Sequence, residues 1–64
     1  MRDDILAYLQ IVPSANVDLI AEDLGRYAPA VQEVMHRLDD DGFVIMRNGW
    51  YRLSEAARAG ILPR

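Results

Sequence analysis

Apolar residues recur at helical spacing through most of this chain and at alternate positions near its end. Ile5, Leu6, Leu9 and Val12 form a first stripe, which predicts a helix over 3–11 with Asp3 as N-cap and Asp4 in the first turn. Pro13 stops it, because proline donates no backbone hydrogen bond and restricts Val12 before it. Ser14, Ala15 and Asn16 read as a short loop. A second stripe, Val17, Ile20, Ala21 and Leu24, falls at i, i+3, i+4 and i+7, with Asp18, Glu22 and Asp23 off it. Gly25 then fits the left-handed position that closes a helix, and Pro29 suits the first turn of the next. That third helix runs from about 28 to 40 or 41, with Val31, Val34, Met35 and Leu38 as its apolar stripe and Gly42 at its end. Its opposite face carries Pro29, Ala30, Gln32, Glu33, His36 and Arg37.

From Phe43 onward the period changes to two. Two strand-like runs, 43–47 and 50–53, flank Asn48-Gly49, a dipeptide that favours the tight hairpin turn. A two-residue turn pairs Arg47 with Trp50, Met46 with Tyr51, Ile45 with Arg52 and Val44 with Leu53. Val44, Met46, Tyr51 and Leu53 then share the expected core face, and Phe43, Ile45, Arg47, Trp50 and Arg52 the outer one. Ser54 is placed to cap a last short helix, from Glu55 to about Ala59, closed by Gly60. The expectation is one α+β domain over 1–64: a three-helix core, a two-stranded β-hairpin and a short C-terminal helix.

Composition narrows the chemistry. At 64 residues the chain has room for one small core, so a partner that buries more surface would help it. With 52% hydrophobic and 27% charged residues it is globular. The absence of cysteine removes disulfides and thiolate chemistry, and one histidine cannot make a multi-histidine metal site. No run of 18 apolar residues occurs, and the N-terminal segment lacks a signal-peptide cleavage pattern, which makes the cytoplasm the expected compartment. The net charge is −3, all seven basic residues are arginine, and aspartate dominates the ten acids. An acidic, lysine-free, Asp-rich surface fits a halophilic protein; a GC-rich genome gives the same bias. The three acids Asp39, Asp40 and Asp41 lie where the helix dipole disfavours anions, and no further oxygen ligands follow at calcium-loop spacing, so they read as a solvated corner.

Three blocks carry a resemblance: Val17-Asp-Leu-Ile-Ala-Glu-Asp-Leu-Gly25, Leu38-Asp-Asp-Asp-Gly-Phe-Val44 and Gly49-Trp-Tyr-Arg-Leu-Ser-Glu55. In this order and spacing the chain resembles small winged helix-turn-helix transcription regulators, MarR-like domains and the phage-repressor-like proteins of halophilic archaea. The resemblance covers about 3–60 and rests mostly on core and turn residues. It implies a winged helix-turn-helix fold and a sequence-specific double-stranded DNA-binding regulator, a small repressor of archaeal or viral type, working as a homodimer. Two features depart from the pattern: the wing is as short as a hairpin allows, and the recognition helix carries few cations.

In that frame the 28–41 helix enters the major groove. Gln32 suits adenine, Glu33 can accept from cytosine N4, and Ala30 can meet a thymine methyl. His36 reads either as a phosphate or guanine ligand or as an ordinary surface histidine, and Arg37 beside it as a phosphate ligand. Arg26 in the turn, and Arg47, Asn48 and Arg52 on the wing, are the remaining DNA candidates. Arg47 has a second reading, a cation–π pair with Trp50 across the hairpin. Tyr8, Ile45, Trp50, Ile61 and Leu62 are candidates for a dimer or partner contact. An alternative follows from them, a winged-helix protein–protein interaction module that does not bind DNA. No serine has a triad partner in a recognisable motif and no Gly-rich phosphate loop occurs, so neither an enzyme, a metal, a cofactor nor a small-molecule substrate is expected.

Overall fold

A computed structural model describes residues 1–60; Ile61 and Leu62 lie outside the described residues. The elements run α1 (Arg2–Ile11), β1 (Ala15–Asn16), α2 (Val17–Leu24), α3 (Ala28–Asp40), β2 (Val44–Arg47), β3 (Trp50–Leu53) and α4 (Glu55–Arg58). The architecture is α+β, four helices with a three-stranded antiparallel sheet in the order β1-β3-β2. The three longer helices and one sheet face enclose a single core built on Ile5, Leu9, Ile20, Val31, Met35 and Leu38, all essentially inaccessible to water.

Local chemistry accounts for most boundaries. The Asn16 side chain accepts from the Leu19 N–H at 2.8 Å and so starts α2. At the other end Gly25 takes φ +64°, and the Gly25 and Arg26 N–H groups donate to Glu22 and Ala21, satisfying carbonyls that the helix leaves free. The Asn48-Gly49 turn has both central residues at positive φ, 54° and 82°, and fixes the hairpin in the register expected, from Val44 opposite Leu53 to Arg47 opposite Trp50. Ser54 caps α4 by accepting from the Ala57 N–H, and its hydroxyl donates to the Gly42 carbonyl, tying the hairpin's base together.

Several expectations are corrected. Ala15 and Asn16 form a strand, not a loop. They pair with Tyr51 and Trp50, covering the free edge of β3, so the sheet has three strands where two were expected. Helix α1 starts a residue earlier than Asp3, because the Ile5 N–H reaches the Met1 carbonyl, and it has no side-chain cap. Phe43 is only 9% exposed, against the outer position that strand alternation gave it. It precedes β2 and belongs to the closing turn of α3. Its N–H donates to the Leu38 carbonyl past Gly42, a geometry that folds the residue after the glycine back onto the helix. Met46 is 48% exposed, although it shares a face with Val44, because it lies at the hairpin's outer end, where its sulfur accepts from the Gly49 N–H. The cation–π contact among the described residues is Arg2 over the Phe43 ring at 4.7 Å, not Arg47 on Trp50.

Candidate functional site

A cleft of ≈ 410 Å³ opens between the start of α2, the polar face of α3 and the tip of the hairpin. Asn16 and Asp18 border it on the α2 side, Gln32 and His36 come from α3, and Met46, Asn48 and Trp50 from the hairpin. Its position follows from local folding. Pro29 and the Tyr27 junction start α3 so that Val31, Met35 and Leu38 face inward, which leaves Gln32 and His36, four residues apart, on the solvent side. The β-turn at Asn48-Gly49 brings the hairpin tip up beside them.

Within the cleft the Gln32 amide nitrogen lies 3.0 Å from His36 Nε2. Asp18 is the one carboxylate lining it, so the cleft itself is polar and slightly acidic. The Tyr51 phenol below it has its pKa raised, by burial first and by the charge of Asp39 second. One residue further along α3, Glu33 and Arg37 form an exposed ion pair at 3.1 Å, so these two candidates face each other. Arg26 is drawn to Asp4 at the start of α1, 3.2 Å away, and is not a cleft residue. Arg47 and Arg52 are exposed on the hairpin, with no ion-pair partner among the described residues. Ala30 is half-buried at the start of α3.

Of the candidate partner contacts, Trp50 is 45% exposed and Ile45 37% exposed, both on the hairpin. Tyr8 is not a loose surface aromatic. It is half-buried against the core and its hydroxyl donates to Asp23 of α2 at 2.6 Å, a bond that raises its pKa ahead of burial and of the Asp23 charge. Sequence reading thus found Gln32, His36, Asn48 and Trp50 of the cleft but missed Asn16, Asp18, Met46 and Tyr51. Asn16 carried a signal as a helix cap. Met46 was hidden by strict alternation, and Asp18 depends on how α2 meets the hairpin.

Among the described residues no group of three or more metal-ligating side chains comes together. No helix among them is long and apolar enough to cross a membrane. Comparison with protein-family models, with curated proteins and with solved structures finds no match.

Proposed function

We propose that this chain is a winged helix-turn-helix domain that binds duplex DNA and regulates transcription, with α3 in the major groove and the β2–β3 hairpin as its wing. The observation that carries this reading is the cleft. It sets two exposed side chains able to read base edges, Gln32 and His36, beside a hairpin that bears two arginines with no ion-pair partner among the described residues. Helices α2 and α3 are joined by Gly25, Arg26 and Tyr27 alone, which is the length and glycine content of a helix-turn-helix connection. Thirteen residues make α3 about 20 Å long, enough to lie along a major groove about 12 Å wide.

Charge is the counterweight, with a net −3 and Arg26 and Arg37 already paired. Both pairs are exposed, and such pairs are worth only about 0–1 kcal/mol, so a phosphate can replace the carboxylate at small cost. Base contacts from the cleft would give specificity, and Arg47 and Arg52 the phosphate anchoring.

A second copy completes the reading. Support for it comes from a groove of ≈ 370 Å³ along α1, with Leu6, Ala7, Phe43 and Ala57 in its lining and Arg2, Asp3 and Gln10 as its polar members. An antiparallel neighbour crossing at Leu6 and Ala7 would set Asp3 of each copy against Gln10 of the other. Two copies of α3 could then occupy half-sites about 34 Å apart.

Selection from random-sequence duplexes, at near-physiological and at molar salt, tests the function. We expect one enriched site. Arg47→Ala should weaken binding to every sequence and lower the salt slope by about one unit. If no duplex binds above non-specific levels at any salt, the reading fails. The exposed Ile45 and Trp50 on the hairpin favour one rival, a protein-binding winged helix. In that case Trp50→Ala weakens association with a protein, and the DNA selection returns nothing.

A further inference from the structure

We propose that the outer face of the three-stranded sheet binds an unpaired nucleic-acid strand, with a base stacked on Trp50 and backbone phosphates on Arg47 and Arg52. This goes beyond the duplex reading and does not depend on it, because the residues of this face come from the sheet alone.

The register places five side chains there. Ala15, Val44, Tyr51 and Leu53 are buried on the inner side. Asn16, Ile45, Arg47, Trp50 and Arg52 occupy the alternate positions and point outward. Asn16 and Arg47 stand opposite Trp50 on its two sides, and Ile45 stands opposite Arg52. Trp50 is therefore the middle of a row that crosses all three strands. Neighbouring strands lie about 4.8 Å apart, and alternate residues of one strand about 6.8 Å apart. Arg47 and Arg52 thus both start within reach of a group lying on the indole.

Charge sets this face apart. The chain carries a net −3, yet none of its three strands contains an acid. Both arginines of the sheet lack an ion-pair partner among the described residues, whereas Arg26 and Arg37 are held by carboxylates. The indole is open as well. It is 45% exposed, and the cation–π contact among the described residues is Arg2 over Phe43, so Arg47 does not cover it. An uncovered aromatic face flanked by guanidinium groups suits an unpaired strand: every base has a π face to stack, and every phosphate brings an anion. A base inside a duplex is stacked on its neighbours already, so the indole selects against paired strands.

Size decides between a strand and a protein. β2 and β3 have four residues each, so the face is about 13 Å long and, across three strands, about 10 Å wide. That is far below the roughly 800 Å² that each side of a stable protein interface buries. A few nucleotides of an extended strand cover it, with Ile45 as an apolar floor beside the stacked base.

Trp50 is the chain's only tryptophan, so its emission reports occupancy directly. The test is titration of the full chain at about 50 mM salt with oligothymidylate and with oligouridylate of about ten residues. Dextran sulfate, an anionic polymer without bases, is the control. We expect quenching by the oligonucleotides and none by dextran sulfate. Quenching by the first alone assigns the face to DNA, by the second alone to RNA, and by both to the base and phosphate chemistry they share. Trp50→Ala should weaken binding by roughly 5- to 150-fold, read by the anisotropy of a labelled strand. Trp50→Leu should do the same while keeping apolar bulk, which covers an alanine variant that circular dichroism shows to be unfolded. Arg47→Ala and Arg52→Ala should each lower the salt slope by about 0.7. Undiminished binding by a folded Trp50→Ala or Trp50→Leu protein overturns the proposal. So does dextran sulfate quenching as strongly as the strands, or no strand binding at this salt. Strand binding beside a failed duplex selection removes the duplex reading and leaves this face standing; the reverse result removes this face alone.

Discussion

Replacing Tyr8 by phenylalanine removes the hydroxyl that links α1 to Asp23 of α2 across 2.6 Å. An exposed bond of this kind is worth about 0.5–1.5 kcal/mol, and the loss should appear in the urea midpoint. The larger interest is pH. The bond to Asp23, then burial, then the Asp23 charge, hold the phenol's pKa above the ordinary value of 10.0. The folded chain therefore keeps this proton more tightly than the unfolded one. The stability that follows is fully present below the unfolded value and is lost as pH rises through the folded one. Between about pH 9 and 11 the Tyr8→Phe protein should lose melting temperature less steeply than the parent, with the slope read by circular dichroism. Tyr51 contributes in the same direction in both proteins, through burial and Asp39. Gly25 is a second single-residue test. A Cβ added there would meet nothing within 4 Å, so the cost of Gly25→Ala comes only from φ +64°. That cost should be about 1–2 kcal/mol in chemical denaturation, with no change in m-value. A larger loss would mean that the turn is packed more tightly than its open surroundings indicate.

Within the hairpin, Trp50 and Leu53 belong to one strand and should respond oppositely. Leu53 is buried, and its truncation to alanine should cost about 2–5 kcal/mol. Trp50 is 45% exposed, so Trp50→Ala should cost well under the roughly 3–5 kcal/mol of a buried tryptophan. The emission of this single tryptophan should be red-shifted in the free protein and blue-shifted or quenched when the cleft is occupied. Emission already blue in the free monomer, with Trp50→Ala unfolding it, would place the indole in the core. The contrast between these residues was legible in the sequence because Asn48-Gly49 dictates a two-residue turn, and the turn dictates every pair in the hairpin. The helices were legible for a like reason: their stripes are long, and Gly25 and Pro29 punctuate them. Phe43 was not, because alternation was carried one residue past the start of β2 into the closing turn of α3. The Gly42-Phe43 sequence itself held the signal, a glycine followed by a large apolar residue. β1 is too short to show any period, and its partner strand is remote in the chain. Of the ion pairs, Glu33 with Arg37 follows from i, i+4 spacing, whereas Arg26 with Asp4 exists only once α1 packs on α2. The cleft was therefore half visible: its α3 side is periodicity, and its α2 side is tertiary.

At the scale of the whole molecule the dominant quantity is charge. A chain of 64 residues carries ten acids and seven arginines, with aspartate predominant and lysine absent. Among the described residues just two ion pairs join opposite charges, both exposed and together using two of the acids. Asp39, Asp40 and Asp41 are all exposed at the end of α3, against the helix dipole, and Asp39 acts on the Tyr51 phenol. In dilute salt these acids repel one another and oppose compaction. Added salt shortens the Debye length from about 10 Å at 0.1 M to about 3 Å at 1 M, which removes most repulsion between neighbouring surface acids. It weakens the two ion pairs as well, but exposed pairs of this kind carry at most about 1 kcal/mol each. The balance thus favours the folded chain as salt rises. We expect the melting temperature to climb steadily from low salt to molar potassium chloride. Potassium sulfate should raise it further, since that salt also strengthens apolar burial. Sodium perchlorate at the same ionic strength separates the two causes: it screens equally well without strengthening burial. A rise in potassium chloride that perchlorate reproduces assigns the effect to the acidic surface. A melting temperature that stays flat or falls in potassium chloride would mean that the Asp-rich, lysine-free composition records codon usage and has no role in salt tolerance.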